Sequence, residues 1–226
     1  MAVASMNSAI SAMIGNDIER VRKRDRHGSS DCAQYWHHVG SSTHADRLAF
    51  GQNCRVPMLF LLRHAKSSWD DASLPDLERP LAPRGERAAR RIAGWFGSEC
   101  IAPELVVCSS ARRARDTFAL IQPVFPVSTE LRVTESLYGA DASAILGVLR
   151  AVGSEIASVM LVGHNPGLED LAIGLAGDGD PGAMAQLRAK FPTAALACLD
   201  ATQCWALLDW GDAHLTKLVV PRELQA

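Results

Sequence analysis

Three short apolar runs, at residues 58–62, 105–108 and 158–162, each break off into polar, mostly cationic residues, and helical patterns separate them. Continuous apolar runs of this length, without polar alternation, are what strands buried on both faces of a parallel sheet look like. The first stops at Arg63 and His64, the second runs into Ser109 and the arginines 112, 113 and 115, and the third reaches Gly163 and His164. Between them, residues 84–96 place Ala88, Ala89, Ile92, Trp95 and Phe96 at helical spacing, with Gly97 as a stop signal. Residues 111–121 read as a second helix ended by Pro123, and further helices are expected at 142–152 and 168–175. Residues 177–182 read as a loop. Three later apolar runs, at 195–199, 205–208 and 215–220, read as meander strands at one edge of the sheet. The expected fold is α/β, a three-layer α/β/α sandwich with a mixed, mainly parallel sheet.

The chain of 226 residues is long enough for one α/β domain with its own core. A net charge of −2, from 23 Lys+Arg against 25 Asp+Glu, removes any chain-wide electrostatic case for binding nucleic acid or a membrane surface, so a basic site must be local. No apolar stretch approaches the ~20 residues that a membrane span needs. The six cysteines lie far apart with no C-x-x-C pair, a usage that fits a reducing cytoplasm, and Cys108 and Cys198 sit inside apolar runs as core residues would. Residues 1–57 differ from the rest: arginines 20, 22, 24 and 26 and Lys23 crowd together, and apolar periodicity is weak. They read as a disordered extension, or as sequence preceding a start at Met58, and they make a poor secretory signal. His27, Cys32, His37, His38 and His44 offer a metal or partner site as an alternative, with a spacing that matches no standard ligand pattern. Residues 58–226 are expected to form the functional domain.

Taken singly, each cationic strand end has an ordinary reading: a surface Arg-His pair, a basic first helical turn behind a Ser-Ser cap, a histidine in a Gly/Pro turn. Together they say more. Parallel strands bring their C-terminal ends to one edge, so Arg63, His64, an arginine after Ser109, and His164 should converge. Two arginines and two histidines around one point suit the three equatorial oxygens of a transferring phosphoryl group, which a helix N-terminus also favours.

The segments Arg63-His64-Ala65, Ser109 through Thr117 and Gly163-His164-Asn165 resemble, in order, the three motifs of the histidine phosphatase superfamily. The match is closer still to SixA-type phosphohistidine phosphatases, through Arg63-His64-Ala65-Lys66-Ser67-Ser68-Trp69, Glu78-Arg79-Pro80-Leu81 with Arg84-Gly85, Gly163-His164-Asn165-Pro166, and Lys190-Phe191-Pro192-Thr193-Ala194-Ala195. The resemblance covers residues 58 to about 224 and implies a phosphoglycerate mutase-like fold. It implies that His64 is the nucleophile, that Arg63 and Arg113 bind the phosphoryl oxygens, and that His164 stabilises the same group. Arg113 lies four residues after Ser109 and directly before Ala114, while Arg112 and Arg115 are neighbours able to exchange roles with it. Ser67 and Asn165, within the first and third motifs, are expected beside the substrate. Glu135, in Glu135-Ser136-Leu137-Tyr138-Gly139, fits the family's general-acid context, and a solvated turn carboxylate is the alternative. The acidic loop at 67–79, with Trp69, Asp70, Asp71, Asp76 and Glu78, either rims the pocket or is plain solvated surface. The stretch from Arg113 to the strand at 158 is too short for a large cap, so an open pocket is expected.

The implied activity is a metal-independent phosphatase, without cofactor, that passes through a covalent phosphohistidine and acts on phosphohistidine of a protein partner. A small-molecule phosphomonoesterase or pyrophosphatase of the same superfamily, and a non-catalytic phosphate-binding protein, are the alternatives.

Overall fold

A computed structural model describes residues 57–224, so the expected extension over 1–57, with its histidines and cysteines, lies outside the described residues but for Pro57. The chain alternates strand and helix: β1 (Met58–Arg63), α1 (Pro83–Glu99), β2 (Leu105–Ser109), α2 (Arg112–Ile121), β3 (Glu130–Thr134), α3 (Ala142–Arg150), β4 (Ser158–Gly163), α4 (Gly167–Leu175), β5 (Ala176–Gly179), α5 (Pro181–Ala189), β6 (Leu196–Ala201) and β7 (Ala213–Val219). The seven strands form one sheet in the order β3-β2-β4-β1-β6-β7-β5. Strands β3, β2, β4 and β1 are mutually parallel, β6 is antiparallel to both β1 and β7, and β5 pairs parallel with β7. The sheet is therefore mixed and mainly parallel, with helices on both faces.

The pleat explains why β1, β2 and β4 are apolar throughout. Alternate residues serve opposite cores: Leu59, Leu61, Val107 and Leu161 pack with α3, α4 and α5, while Phe60, Leu62, Val106 and Val162 pack with α1 and α2. A smaller cluster of Ala65, Leu81, Ala89 and Ala194 lies under the loop that follows β1. Cys108 and Cys198 are buried in the α1/α2 face, and burial pushes both thiols up to about 12.

Several elements depart from the expectation. Helix α1 runs through Gly97 and ends at Cys100, which takes the left-handed conformation (φ 54°) in which glycine is more usual. The run at 195–199 is no edge: β6 lies beside β1 near the middle of the sheet. The run at 205–208 is a 3-10 turn (Trp205–Leu207), apolar because Trp205 plugs the core, with its indole N–H donating to the Ile156 carbonyl at 2.7 Å. The true edges are β3, exposed along most of its length, and β5, read as the start of a loop because Ala-Gly-Asp-Gly carries no strand pattern. Helix α5 follows β5, capped by the Asp180 carboxylate on the Ala183 N–H at 2.8 Å.

Candidate active site

Register brings the site together. In the β1/β4 ladder Arg63 is paired with Gly163, so His64 and His164 are the next residues of two adjacent parallel strands. The His64 N–H donates to the Gly163 carbonyl at 2.9 Å, and the two imidazole rings lie 4.9 Å apart. On the other side of β4, Ser109 ends β2, and its hydroxyl is 2.8 Å from His164 Nε2. Helix α2 begins just beyond, and its first turn delivers Arg113.

The hydrogen bond of His64 Nδ1 to the Ala65 carbonyl, at 2.7 Å, decides the tautomer of the ring. A carbonyl only accepts, so Nδ1 holds the proton and Nε2 presents its lone pair. Arg113 Nε donates toward that lone pair at 3.3 Å. The Ala65 N–H is itself held by the Thr117 hydroxyl at 3.0 Å, which in turn donates to the Arg113 carbonyl at 2.6 Å, so nucleophile loop and arginine helix are tied together. Of the three arginines in this turn, only Arg113 is buried; Arg112 is exposed and pairs with Asp116 at 3.5 Å, and Arg115 is exposed.

Arg63 is anchored by the antiparallel half of the sheet: its Nη1 donates to the Phe191 carbonyl at 2.7 Å. The same carbonyl accepts from Asn165 Nδ2 at 3.1 Å, and Asn165 also donates to Glu169 at 2.7 Å. The Glu169 carboxylate closes the ring by accepting from the Phe191 N–H at 2.9 Å. Ala194, at φ 60°, aims its N–H at the carbonyls of Arg63 (3.1 Å) and His64 (3.2 Å). Two buried nitrogens at the cluster, Arg63 Nε and His164 Nδ1, have no hydrogen-bond partner.

Both histidines are neutral near pH 7. Burial pushes His64 down to about 3, helped by His164 and the two arginines, against the Ala65 hydrogen bond. Burial, with Arg113 and Arg63, pushes His164 down to about 4, and Asp76 works against it.

Residues 59–145 match the model of the histidine phosphatase superfamily (branch 1). An uncharacterized protein of Mycobacterium tuberculosis, Rv1276c, is 38% identical over 163 residues, which is 71% of this chain and 100% of that protein. A protein assigned as the phosphohistidine phosphatase SixA of Nakamurella multipartitia is 31% identical, with a TM-score of 0.65 over 75% of this chain and 99% of that one. The chain belongs to the histidine phosphatase superfamily. A SixA protein histidine phosphatase, solved with tungstate, is 25% identical with a TM-score of 0.60 over 74% of this chain and 99% of that one. The fold is also shared, at 15% identity and a TM-score of 0.51, by a protein from Escherichia coli assigned as an α-ribazole-5'-P phosphatase.

In this histidine phosphatase the carboxylate at the cluster is Asp76, from the 3-10 turn Asp76–Glu78 of the loop after β1. Its Oδ2 accepts from Arg113 Nη2 at 2.9 Å and from the Tyr138 hydroxyl at 2.8 Å, and its backbone carbonyl accepts from Arg113 Nη1 at 2.6 Å. Burial pulls the Asp76 carboxyl upward, but Tyr138 and Arg113 outweigh it and hold it below the usual range. The loop thus joins the site through Asp76, while Trp69 stands 63% exposed at the rim with the Arg79 guanidinium stacked 3.6 Å over its ring. Glu135 is exposed and makes no hydrogen bond or ion pair with the cluster; from the same motif it is Tyr138 that reaches in. Ser67 is buried in a bridge with Leu81, and no hydrogen bond among the described residues joins its hydroxyl to Arg63, His64, Arg113 or His164. Asn165 lies one step back, holding the carbonyl that holds Arg63. Among the described residues no group of three or more His, Cys, Asp or Glu side chains is placed to hold a metal ion, and no helix is long and apolar enough to cross a membrane.

Proposed function

We propose that this histidine phosphatase dephosphorylates phosphohistidine on a protein through a covalent phosphohistidine at His64 Nε2. The observation that carries the reading is the Nδ1–H bond to the Ala65 carbonyl, which leaves Nε2 unprotonated beside Arg113. In the first step Nε2 forms a bond to phosphorus as the bond from phosphorus to the substrate nitrogen breaks in line. A substrate imidazole protonated on its distal nitrogen takes the bonding pair and leaves neutral, so no acid has to protonate it. In the second step water attacks phosphorus, the bond to Nε2 breaks, and the water's second proton passes to phosphate or solvent. Phosphorylated His64 keeps its Nδ1 proton on Ala65, so it too leaves as a neutral ring, and both steps break the same kind of P–N bond.

The cluster supplies the charge for this chemistry. Arg63 and Arg113 face the equatorial oxygens, and the unpartnered Arg63 Nε and His164 Nδ1 are donors that a phosphoryl group would satisfy. Ser109 Oγ lies 2.8 Å from His164 Nε2, and a hydroxyl proton donated there would keep the His164 proton on Nδ1. Asp76 positions Arg113 by gripping both of its terminal nitrogens. A protein substrate is supported by the similarity to SixA proteins, one of them holding tungstate, an oxyanion of phosphoryl shape. It is also supported by the exposure of Trp69 and Tyr138 beside the cluster.

The test is hydrolysis of a phosphohistidine protein and of p-nitrophenyl phosphate, side by side, by wild type and His64→Ala with EDTA present. Loss of phosphohistidine that needs His64, ignores EDTA and outpaces the aryl phosphate is expected. A preference for the aryl phosphate would move the substrate to small phosphomonoesters; dependence on divalent ion would defeat the mechanism.

A further inference from the structure

Beside the catalytic cluster runs a surface groove of about 310 Å3 lined by Arg84, Arg87, Arg91 and Arg222, with Pro192 and Thr193 on its inner wall. The first three stand at i, i+3 and i+7 of α1 and so share one face of the helix. In a chain with more carboxylates than cations, no carboxylate among the described residues forms an ion pair with any of these three. Arg91 donates only to the Pro221 carbonyl at 3.3 Å, and Arg222 shares Glu223 at 3.4 Å on the open side.

The groove adjoins the site. A Cβ at Gly85 would fall on the Lys66 carbonyl, so the first turn of α1 abuts the loop two residues beyond His64. Thr193 lies between Phe191, whose carbonyl anchors Arg63, and Ala194, whose N–H binds the carbonyls of Arg63 and His64. Strand β7 runs parallel to β1, both being antiparallel to β6, so Pro221 leaves the sheet at the same edge as Arg63.

We propose that this groove binds an acidic segment of the substrate protein and feeds its phosphohistidine to His64, an inference that rests on the protein-substrate reading above. The spacing selects the occupant. Arg84 and Arg91 are about 10 Å apart along the helix axis, a row rather than a convergent cup. Carboxylates on alternate residues of an extended chain recur every ~6.5–7 Å and can meet such a row, whereas a compact polyphosphate cannot span it. No aromatic ring lines the groove to stack a nucleobase.

The experiment compares two synthetic peptides phosphorylated on one histidine, one flanked by glutamates and one by alanines, with wild type, R84Q/R87Q and R84Q/R87Q/R91Q. Neither the Arg84 nor the Arg87 side chain makes a hydrogen bond within the described residues, so the double variant tests the groove while leaving the backbone bonds of α1 in place. Wild type should prefer the acidic peptide by about tenfold in kcat/KM, through KM and with strong salt dependence, and the variants should lose that preference at unchanged kcat on the alanine peptide. Equal kcat/KM for the two peptides in wild type, or a preference that survives in the triple variant, would overturn the groove and leave the phosphohistidine reading intact. If wild type cleaves neither peptide, the function falls instead, and binding of the unphosphorylated glutamate peptide decides the groove: retained by wild type and lost in the variants supports it. Tripolyphosphate binding there more tightly than the peptide would overturn the acidic-segment assignment.

Discussion

The two halves of the sheet do different work. The parallel half, β3-β2-β4-β1, sends its strand ends to one edge and supplies His64, Ser109, His164 and, in the first turn of α2, Arg113. Among the described residues the antiparallel half brings no side-chain hydrogen bond to the cluster; what it offers is backbone, the Phe191 carbonyl under Arg63 and the Ala194 N–H across the carbonyls of Arg63 and His64. Reactive groups come from where strands end together, and stiffness comes from where a strand returns.

If that division is right, substitutions should fall in order. His64→Ala should lower phosphohistidine hydrolysis by at least about 10^3-fold, and Arg113→Ala by about 10^2-fold or more, with both variants folded by circular dichroism. Asp76→Asn keeps the shape but weakens the grip on Arg113, and steady-state kinetics should register a loss of about tenfold in kcat/KM. Acid should weaken the fold through the parallel half. Between about 3 and the ordinary 6.5, the unfolded chain binds protons on His64 and His164 that the folded protein refuses, so stability falls as pH is lowered through that window and is unaffected above it. Melting temperatures should therefore drop less between pH 6.5 and 4 in His64→Asn than in wild type. Asn165→Ala, which removes one of the two donors on the Phe191 carbonyl under Arg63, should cost only a few-fold in rate and about 1 kcal/mol of stability in urea. Were it as damaging as Arg113→Ala, the separation of roles would collapse. Glu135→Gln should leave phosphohistidine turnover within about twofold, since an exposed carboxylate away from the cluster has nothing to transfer.

The same division governs how much of the molecule is legible in its sequence. β1, β2 and β4 are buried on both faces, so they appear as unbroken apolar runs, and their polar ends stand out against them. β3 and β5 have few buried residues to reveal, and Trp205 made a turn look like a strand because a short apolar run does not state its backbone shape. Within the site, the three family motifs pointed to residues that do meet. Asp76 was visible only as one acid in an acidic loop. Its bond to Arg113 spans 37 positions and depends on how the loop folds back, which no local pattern encodes. Glu135 and Tyr138 show the converse: the motif is present, but the 3-10 turn (Glu135–Leu137) presents Tyr138 inward and leaves the carboxylate in solvent.

The clasp on Arg63 also sets an order of events during synthesis. The Phe191 carbonyl lies 128 positions beyond the arginine it holds, and β6, which follows it, is the direct neighbour of β1. A nascent chain that has emerged only as far as α4 already carries both arginines and both histidines, yet β1 has an open side and Arg63 has no anchor. The frame around the cluster is therefore completed only once the chain has passed β6, and a fragment ending before residue 191 would contain every reactive group without the frame that aligns them.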